Sequence, residues 1–130
     1  MRRGERVPFV LTWFPSHEEL PQPVDAEQAL FDTEWFWRRW LGDCTYEGDY
    51  VKAVRRSLIV LKALTYWPTG GIVAAPTTSL PERIGGERNW DYRYCWLRDA
   101  SLTLRALFAL GYDEEAVAFL AWTLHATRLT

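Results

Sequence analysis

The spacing of apolar residues constrains this chain most, because it predicts four helices and very little sheet. Between residues 50 and 65 the apolar positions recur at helical intervals, and basic side chains that are solvated or paired with acids take the other face; the apolar positions are Val51, Val54, Leu58, Leu61 and Leu64. Further helices are predicted over residues 25–41, from Asp99 to Gly111, and from Asp113 onwards. The chain is therefore predicted to be mainly α-helical.

The first predicted helix carries an unusual load of aromatic side chains. Asp25 is its expected N-cap and Gly42 follows its last turn. Its large apolar residues leave only a narrow polar face; they are Leu30, Phe31, Trp35, Trp37 and Trp40. We interpret the three Trp residues as packing anchors of a helix that is covered on more than one side.

The last two predicted helices have more apolar surface than they can bury against each other. The earlier one is apolar nearly all round, through Leu102, Leu104, Leu107, Phe108 and Leu110. The later one has a predicted core face of Ala116, Val117, Leu120 and Leu124. Surplus apolar surface of this kind normally marks an interface. The missing partner is either another chain or the rest of this one.

The N-terminal residues have a different period. Val7, Phe9, Leu11 and Trp13 alternate with other residues, which predicts a β-strand within residues 1–14. Little else in the chain is available to pair with it. Residues 15–24, which contain Pro21 and Pro23, are predicted to be an extended linker, and residues 25–130 form the helical domain.

Charge and composition exclude several classes of partner. A length of 130 residues allows one domain, and 15 basic against 17 acidic residues give a net charge of −2. This balance gives no basic patch for nucleic acid or anionic lipid, so we predict neither nucleic acid nor membrane as a partner. No signal peptide or membrane-spanning run is visible, which predicts a cytoplasmic protein. Oligomeric state stays open, and a homo-oligomer is one possibility.

The two cysteines give no metal-ligand spacing. Cys44 and Cys95 are far apart in the sequence, and we interpret them as reduced thiols, with a disulfide as the open alternative. We predict no metal site and no cofactor.

A long loop over residues 66–98 is the main candidate for function. Loops of this length in compact domains are uncommon and are usually functional or mobile. Near its end Trp90, Tyr92, Tyr94 and Trp96 are interspersed with charged residues. Rings beside fixed hydrogen-bonding groups suit a ligand that has an apolar face and many hydroxyls, such as a sugar.

Arg98 and Asp99 complete this candidate site. The Arg98 guanidinium donates and the Asp99 carboxylate accepts, so together they can hold neighbouring hydroxyls. The alternative is structural: Asp is a preferred N-cap, and Asp99 then caps the following helix while Arg98 pairs with an acid.

Two runs in this region resemble a known family. They are GGIVAAPTTSLPE at residues 70–82 and RNWDYRYCWLRDA at residues 88–100. They resemble bacterial members of glycoside hydrolase family 15, which includes glucoamylases, glucodextranases and a group of trehalases. The similarity extends upstream through residues 6–13 and 57–66, so it covers nearly the whole chain. The resemblance implies that the helices are the first of an (α/α)6 barrel, and that the N-terminal strand is the last of a preceding β-sandwich.

The resemblance also implies a chemistry. The family hydrolyses terminal α-linked glucose with inversion, using two glutamates on later helices, so no catalytic residue is assigned in this chain and both are expected beyond Thr130. Glu82 and Glu87 match neither. The substrate-binding residues implied are Tyr92 and Trp96 as walls, Arg98 and Asp99 as hydroxyl ligands, and Trp90 with Asp91 as support.

The substrate within this class is not specified by the sequence: trehalose, maltose, isomaltose-type and starch-like substrates share the same terminal unit. Phosphate or Mg²⁺ dependence, shown by some trehalases of the family, leaves no ligand cluster here. Two other classes of function stay open: a non-catalytic sugar-binding or assembly module, and a helical interaction protein whose aromatics are all packing.

Overall fold

The computed structural model describes residues 3–128. Helices are the main regular structure of this range: α1 (Ala26–Gly42), α2 (Val51–Ala63), α3 (Leu97–Ala109) and α4 (Glu114–Arg128). Between α2 and α3 lie two short strands, β1 (Thr65–Tyr66) and β2 (Gly71–Ile72). The prediction of a mainly helical chain is confirmed. The chain divides into two compact units, Met1–Trp40 and Leu41–Thr130.

In the first unit, α1 begins where the sequence predicts. Asp25 Oδ1 accepts hydrogen bonds from the backbone N–H groups of Glu27 and Gln28, each at 3.1 Å. This satisfies two N–H groups that have no partner inside the helix, so Asp25 is the N-cap. Trp37 makes edge contacts with Phe36 and Trp40, at centroid distances of 5.2 and 6.3 Å. No residue of α1 is buried.

The predicted N-terminal strand is absent. Residues 5–15 form neither helix nor strand, and Phe9, Leu11 and Trp13 are at least 85% exposed. Alternating apolar residues become a strand only when a neighbouring strand satisfies their backbone groups. Among the described residues the only sheet is the pair β1 and β2, so residues 7–13 have no such neighbour.

In the second unit, β1 and β2 pair antiparallel, with Thr65 opposite Ile72 and Tyr66 opposite Gly71. The loop between them closes through Gly70, whose N–H donates to Tyr66 O at 2.8 Å and whose φ is +83°. Helix α4 packs against β2 and α3, and α2 packs against α3 and β1. The predicted loop over about residues 66–98 agrees with the start of α3 at Leu97 to within two residues, whereas at its other end a short hairpin of β1 and β2 takes the place of loop.

The core lies between β2, α3 and α4. Ile72, Ala100 and Phe119 are its buried centre, and Cys95, Leu104 and Trp122 pack around them. Leu58 of α2 and Leu107 of α3 are also fully buried. At the end of α3, Gly111 has φ +96°, and the N–H groups of Gly111 and Tyr112 donate to the carbonyls of Phe108 and Leu107. This is a Schellman C-cap, which requires a residue that tolerates positive φ.

The predicted core face of α4 is wrong. Val117, Leu120 and Leu124 are 69%, 59% and 50% exposed, whereas Glu115 and Phe119 are buried. Because α4 is apolar on several sides, its period does not select a face. The side that is buried carries Phe119, which packs in the core with Ile72 and Ala100, and Glu115, which pairs with Lys62 of α2 at 2.6 Å.

Candidate functional site

A short antiparallel pairing holds the aromatic segment in place. The N–H groups of Ala74 and Ala75 donate to Tyr94 O and Tyr92 O at 3.1 and 2.9 Å. Thr78 and Asp91 form an isolated bridge further along. Residues 90–94 are therefore fixed by backbone contacts to the segment that follows β2, which is itself held in the core through Ile72.

Three rings of the predicted site lie in contact, and we call them the aromatic row: Trp90, Tyr92 and Trp96. Trp90 meets Trp96 edge to face at 6.0 Å and 87°, and Tyr92 meets Trp96 at 5.6 Å and 60°. Both geometries are favourable for aromatic pairs. Trp90 is 42% exposed, and Tyr92 and Trp96 are half-buried, so part of the row faces solvent. Three of the five predicted substrate-binding residues are thus brought together.

An ion pair between Asp91 and Arg93 fixes the backbone segment that contacts Trp96. Arg93 Nε and Nη2 donate to the two carboxylate oxygens of Asp91 at 3.0 and 2.7 Å. The hydrogen bonds from the Arg93 side chain and backbone hold the pKa of Asp91 below its usual value, and the same pair raises the pKa of Arg93. The indole Nε1 of Trp96 donates to Asp91 O at 2.9 Å. The backbone carbonyl of Asp91 therefore supports the aromatic row, while its carboxylate is paired with Arg93.

Arg98 and Asp99 lie in the first turn of α3. Ala100 N donates to Trp96 O at 2.9 Å, so the helix starts directly from the aromatic row. Arg98 Nη2 donates to Asp99 Oδ2 at 3.1 Å, and the two side chains are 74% and 34% exposed. The structure therefore brings these two predicted residues together and pairs them with each other.

The structural alternative for Asp99 needs correction. The N-cap of α3 is Trp96, which makes no side-chain capping bond, and Asp99 is the third residue of the helix. A carboxylate in the first turn still interacts favourably with the helix dipole. Asp99 is thus not an N-cap, and its structural contributions are the dipole interaction and the ion pair with Arg98.

One residue of the site was given no role by sequence reasoning. Glu82 Oε1 accepts a hydrogen bond from Trp90 Nε1 at 2.9 Å. The partners are eight residues apart in an irregular loop, where no periodicity indicates which acid meets which ring. Only the proximity of Glu82 to the aromatic run was visible in the sequence.

Two clefts lie elsewhere in the second unit. One of about 250 Å³ is lined partly by Arg93, Tyr94 and Cys95. Burial raises the pKa of the Cys95 thiol. Both Cys95 and Cys44 are free thiols, as expected. The other, of about 190 Å³, lies beside Lys62 and Glu115.

Residues 3–128 contain no group of three or more His, Cys, Asp and Glu side chains placed to hold a metal ion. None of their helices combines the length and apolar character needed to cross a bilayer.

Comparison with known proteins agrees with the family resemblance of residues 70–82 and 88–100. The family model for glycosyl hydrolases family 15 matches residues 48–129, which include the aromatic row, Arg98 and Asp99. This chain belongs to glycosyl hydrolase family 15. No solved structure gives a significant match.

Three curated relatives of this family member are each named trehalase. The chain is 56% identical to a trehalase of Thermoplasma acidophilum over 114 residues, which are 86% of this chain and 19% of that protein. It is 43% identical to a trehalase of Mycobacterium tuberculosis over 124 residues, 94% of this chain and 18% of the relative. For Trehalase 2 of Sulfolobus acidocaldarius the identity is 59% over 102 residues, 76% and 17% of the two chains. The chain spans less than a fifth of the length of each, and these relatives come from archaea and bacteria.

Proposed function

We propose that this chain supplies the glucose-binding part of an inverting glycoside hydrolase that acts on a terminal α-linked glucose, with trehalose as the substrate. The proposal rests on the junction between the aromatic row and the first turn of α3. Membership of family 15 and the relatives named trehalase support the reaction class and the choice of sugar.

The aromatic row suits one side of a pyranose. A pyranose has a face of C–H groups that stacks on aromatic rings, and a rim of hydroxyls. Tyr92 and Trp96 are in contact and half-buried, so they present ring surface that does not need to be ordered when the sugar binds. Trp90 supports Trp96 through their edge-to-face contact.

Arg98 and Asp99 suit the hydroxyl rim. Their mutual hydrogen bond occupies one Asp99 oxygen and one of the several Arg98 N–H groups, and both side chains are partly exposed. Asp99 Oδ1 can then accept from one sugar hydroxyl while Arg98 donates to the next. Because both residues sit at the start of a helix, their backbone is fixed before the sugar arrives.

Bond cleavage requires two more carboxyl groups. An inverting hydrolase uses one carboxylic acid to protonate the leaving oxygen and one carboxylate to activate water from the opposite face. In our proposal these come from other helices of an (α/α)6 barrel. Arg98 and Asp99 act by binding the sugar more tightly as its ring flattens toward the oxocarbenium-like transition state.

The first prediction concerns Asp99 in the complete gene product that carries this chain. Asp99→Ala should lower kcat on trehalose about 100-fold or more, as when one transition-state hydrogen bond is lost, with little change in the melting temperature. The measurement is glucose release at saturating trehalose, beside thermal unfolding. The matched control is Glu114→Ala, which removes an acid from the first turn of α4 and should leave kcat unchanged.

Two outcomes count against the proposal. Full activity of Asp99→Ala would remove the hydroxyl-binding role. If that full activity came with a stability loss of about 0.3–1 kcal/mol, equal to that of Glu114→Ala, Asp99 would act through the helix dipole alone. Calorimetric binding of trehalose by the complete gene product without any release of glucose would favour a non-catalytic sugar-binding module.

A further inference from the structure

Glu82 lies in a loop over residues 79–90, whose two ends are hydrogen-bonded to each other next to the aromatic row. The neck of this loop is closed by two reciprocal hydrogen bonds: Ser79 N donates to Trp90 O, and Trp90 N donates to Ser79 Oγ, both at 2.7 Å. Inside the neck, Glu82 N donates to Arg88 O at 3.2 Å. The backbone of Trp90 is therefore fixed from the side of Ser79.

The Glu82 side chain fixes the other end of the same residue. Its Oε1 accepts from the Trp90 indole Nε1 at 2.9 Å, and its Oε2 lies 3.8 Å from Arg88 Nη1. Arg88 is 79% exposed and Glu82 is 50% exposed, so this ion pair is weakly stabilising. Trp90 is therefore held at two points, its backbone and its indole nitrogen.

An exposed Trp without such contacts has several rotamers available. Trp90 is 42% exposed and its ring meets Trp96 only edge to face, which leaves rotation about its side-chain bonds open unless the indole nitrogen is held. The hydrogen bond to Glu82 supplies that restraint. The orientation of Trp90 in turn limits where the Trp96 ring can lie, because the two rings are 6.0 Å apart.

We propose that Glu82 is a positioning residue: its carboxylate orients the Trp90 indole and, through it, the aromatic row against which the pyranose ring packs. This inference rests on the proposed function. Glu82 itself touches no sugar in this account, and its effect is transmitted by one hydrogen bond. It therefore acts on the binding of the sugar and not on the bond-breaking step.

The test uses four single variants and one double variant of the complete gene product, with trehalose as the probe. Glu82→Ala removes the acceptor, Glu82→Gln keeps an acceptor oxygen without the charge, and Trp90→Phe removes the donor while keeping a ring. Glu87→Ala is the matched control, because Glu87 is an exposed acid in the same loop whose side chain is outside the proposed contact. Steady-state kinetics and the indole N–H signals in NMR are measured for each.

The expected kinetic result is a change in KM alone. Glu82→Ala should raise KM about three- to ten-fold with kcat within about two-fold, which is the range expected for one net hydrogen bond. Glu82→Gln should restore KM, and Glu87→Ala should leave it unchanged. Because Glu82 acts through Trp90, the double variant Glu82→Ala, Trp90→Phe should be no worse than Trp90→Phe alone.

The NMR measurement separates the contact from its consequence. Trp90→Phe identifies the Trp90 indole signal by its disappearance, and Glu82→Ala should move that signal while Glu87→Ala should not. An unmoved signal in Glu82→Ala, or fully additive effects in the double variant, would overturn the inference. If Asp99→Ala loses turnover while Glu82→Ala keeps a normal KM, the positioning role of Glu82 is overturned and the proposed function stands. Absence of any sugar binding by the unmodified protein would overturn both, even if the indole signal moved.

Discussion

Asp91 shows how a single charged residue can serve a binding site without facing the ligand. Both of its carboxylate oxygens accept from Arg93, while its backbone carbonyl accepts from the Trp96 indole. The ion pair makes a tight local turn between the two residues. That turn presents the carbonyl to Trp96 at 2.9 Å, so the charge pair sets the position of a ring.

The pH dependence of this turn follows from the direction of the shift. Arg93 lowers the pKa of Asp91 from 3.8, so the stabilisation is fully present above about pH 4 and is lost as the pH falls through the lower, folded-state value. We expect Arg93→Leu to raise the pKa of Asp91 toward 3.8. The measurement is an NMR titration of the Asp91 side-chain carboxyl carbon.

Arg88→Leu is the control, since Arg88 lies near Glu82 instead. An Asp91 titration that is the same in the Arg93→Leu variant and the unmodified protein would show that the ion pair does not set this pKa.

At this scale the sequence predicts the members of the site but not all of their partners. Trp90, Tyr92 and Trp96 are close in sequence, and Arg98 and Asp99 directly follow them, so their proximity was predictable. The bond between Trp90 and Glu82 depends on the path of an irregular loop. No local period predicts such a path, and the contact was missed.

At the scale of elements, the Lys62–Glu115 ion pair joins α2 to α4. The two side chains are 17% and 4% exposed, and Lys62 Nζ lies 2.6 Å from Glu115 Oε1. Helix caps at Asp25 and Gly111 were predictable because their signals lie within a few residues. The buried face of α4 was not, because its partners are distant in the sequence, as Lys62 is 53 positions from Glu115.

The first element-scale prediction follows from that pair. Glu115→Ala removes the carboxylate that lies 2.6 Å from Lys62 Nζ and should destabilise the chain by about 3–5 kcal/mol in urea unfolding, the range for removing one partner of a buried ion pair. Replacing both partners with apolar residues, as in Lys62→Met with Glu115→Leu, should recover most of this loss. A Glu115→Ala loss no larger than that of the exposed neighbour, Glu114→Ala, would contradict the account.

The second element-scale prediction concerns the turn between β1 and β2. Gly70 has φ +83°, and a Cβ there would lie 2.6 Å from the carbonyl carbon and oxygen of Ala118 in α4. Gly85 has φ +73° with open space around it. Gly85→Ala should therefore cost about 1–2 kcal/mol from the backbone alone, and Gly70→Ala about 2–5 kcal/mol, because the hairpin must also move away from α4.

Unfolding midpoints of the two glycine variants measure this difference. Equal losses would show that the hairpin does not pack closely on α4.

At the scale of the whole molecule, the exposed apolar surface agrees with the surplus that the sequence predicts. Leu102 and Phe108 of α3 are 62% and 66% exposed, and no residue of α1 is buried. In the proposed (α/α)6 barrel these faces contact further helices. The sequence predicts the surplus because apolar period and helix length are local properties. The arrangement of the covering helices depends on contacts far along a chain, and local patterns do not encode it.

The central claim is that Arg98 and Asp99 hold a terminal glucose whose ring packs on the aromatic row. A crystal structure of the complete gene product with bound trehalose tests it most directly. The account predicts glucose hydroxyls within about 3.2 Å of both the Arg98 guanidinium and the Asp99 carboxylate, with the ring against Tyr92 or Trp96. A sugar bound elsewhere, with Arg98 and Asp99 still hydrogen-bonded only to each other, would contradict it.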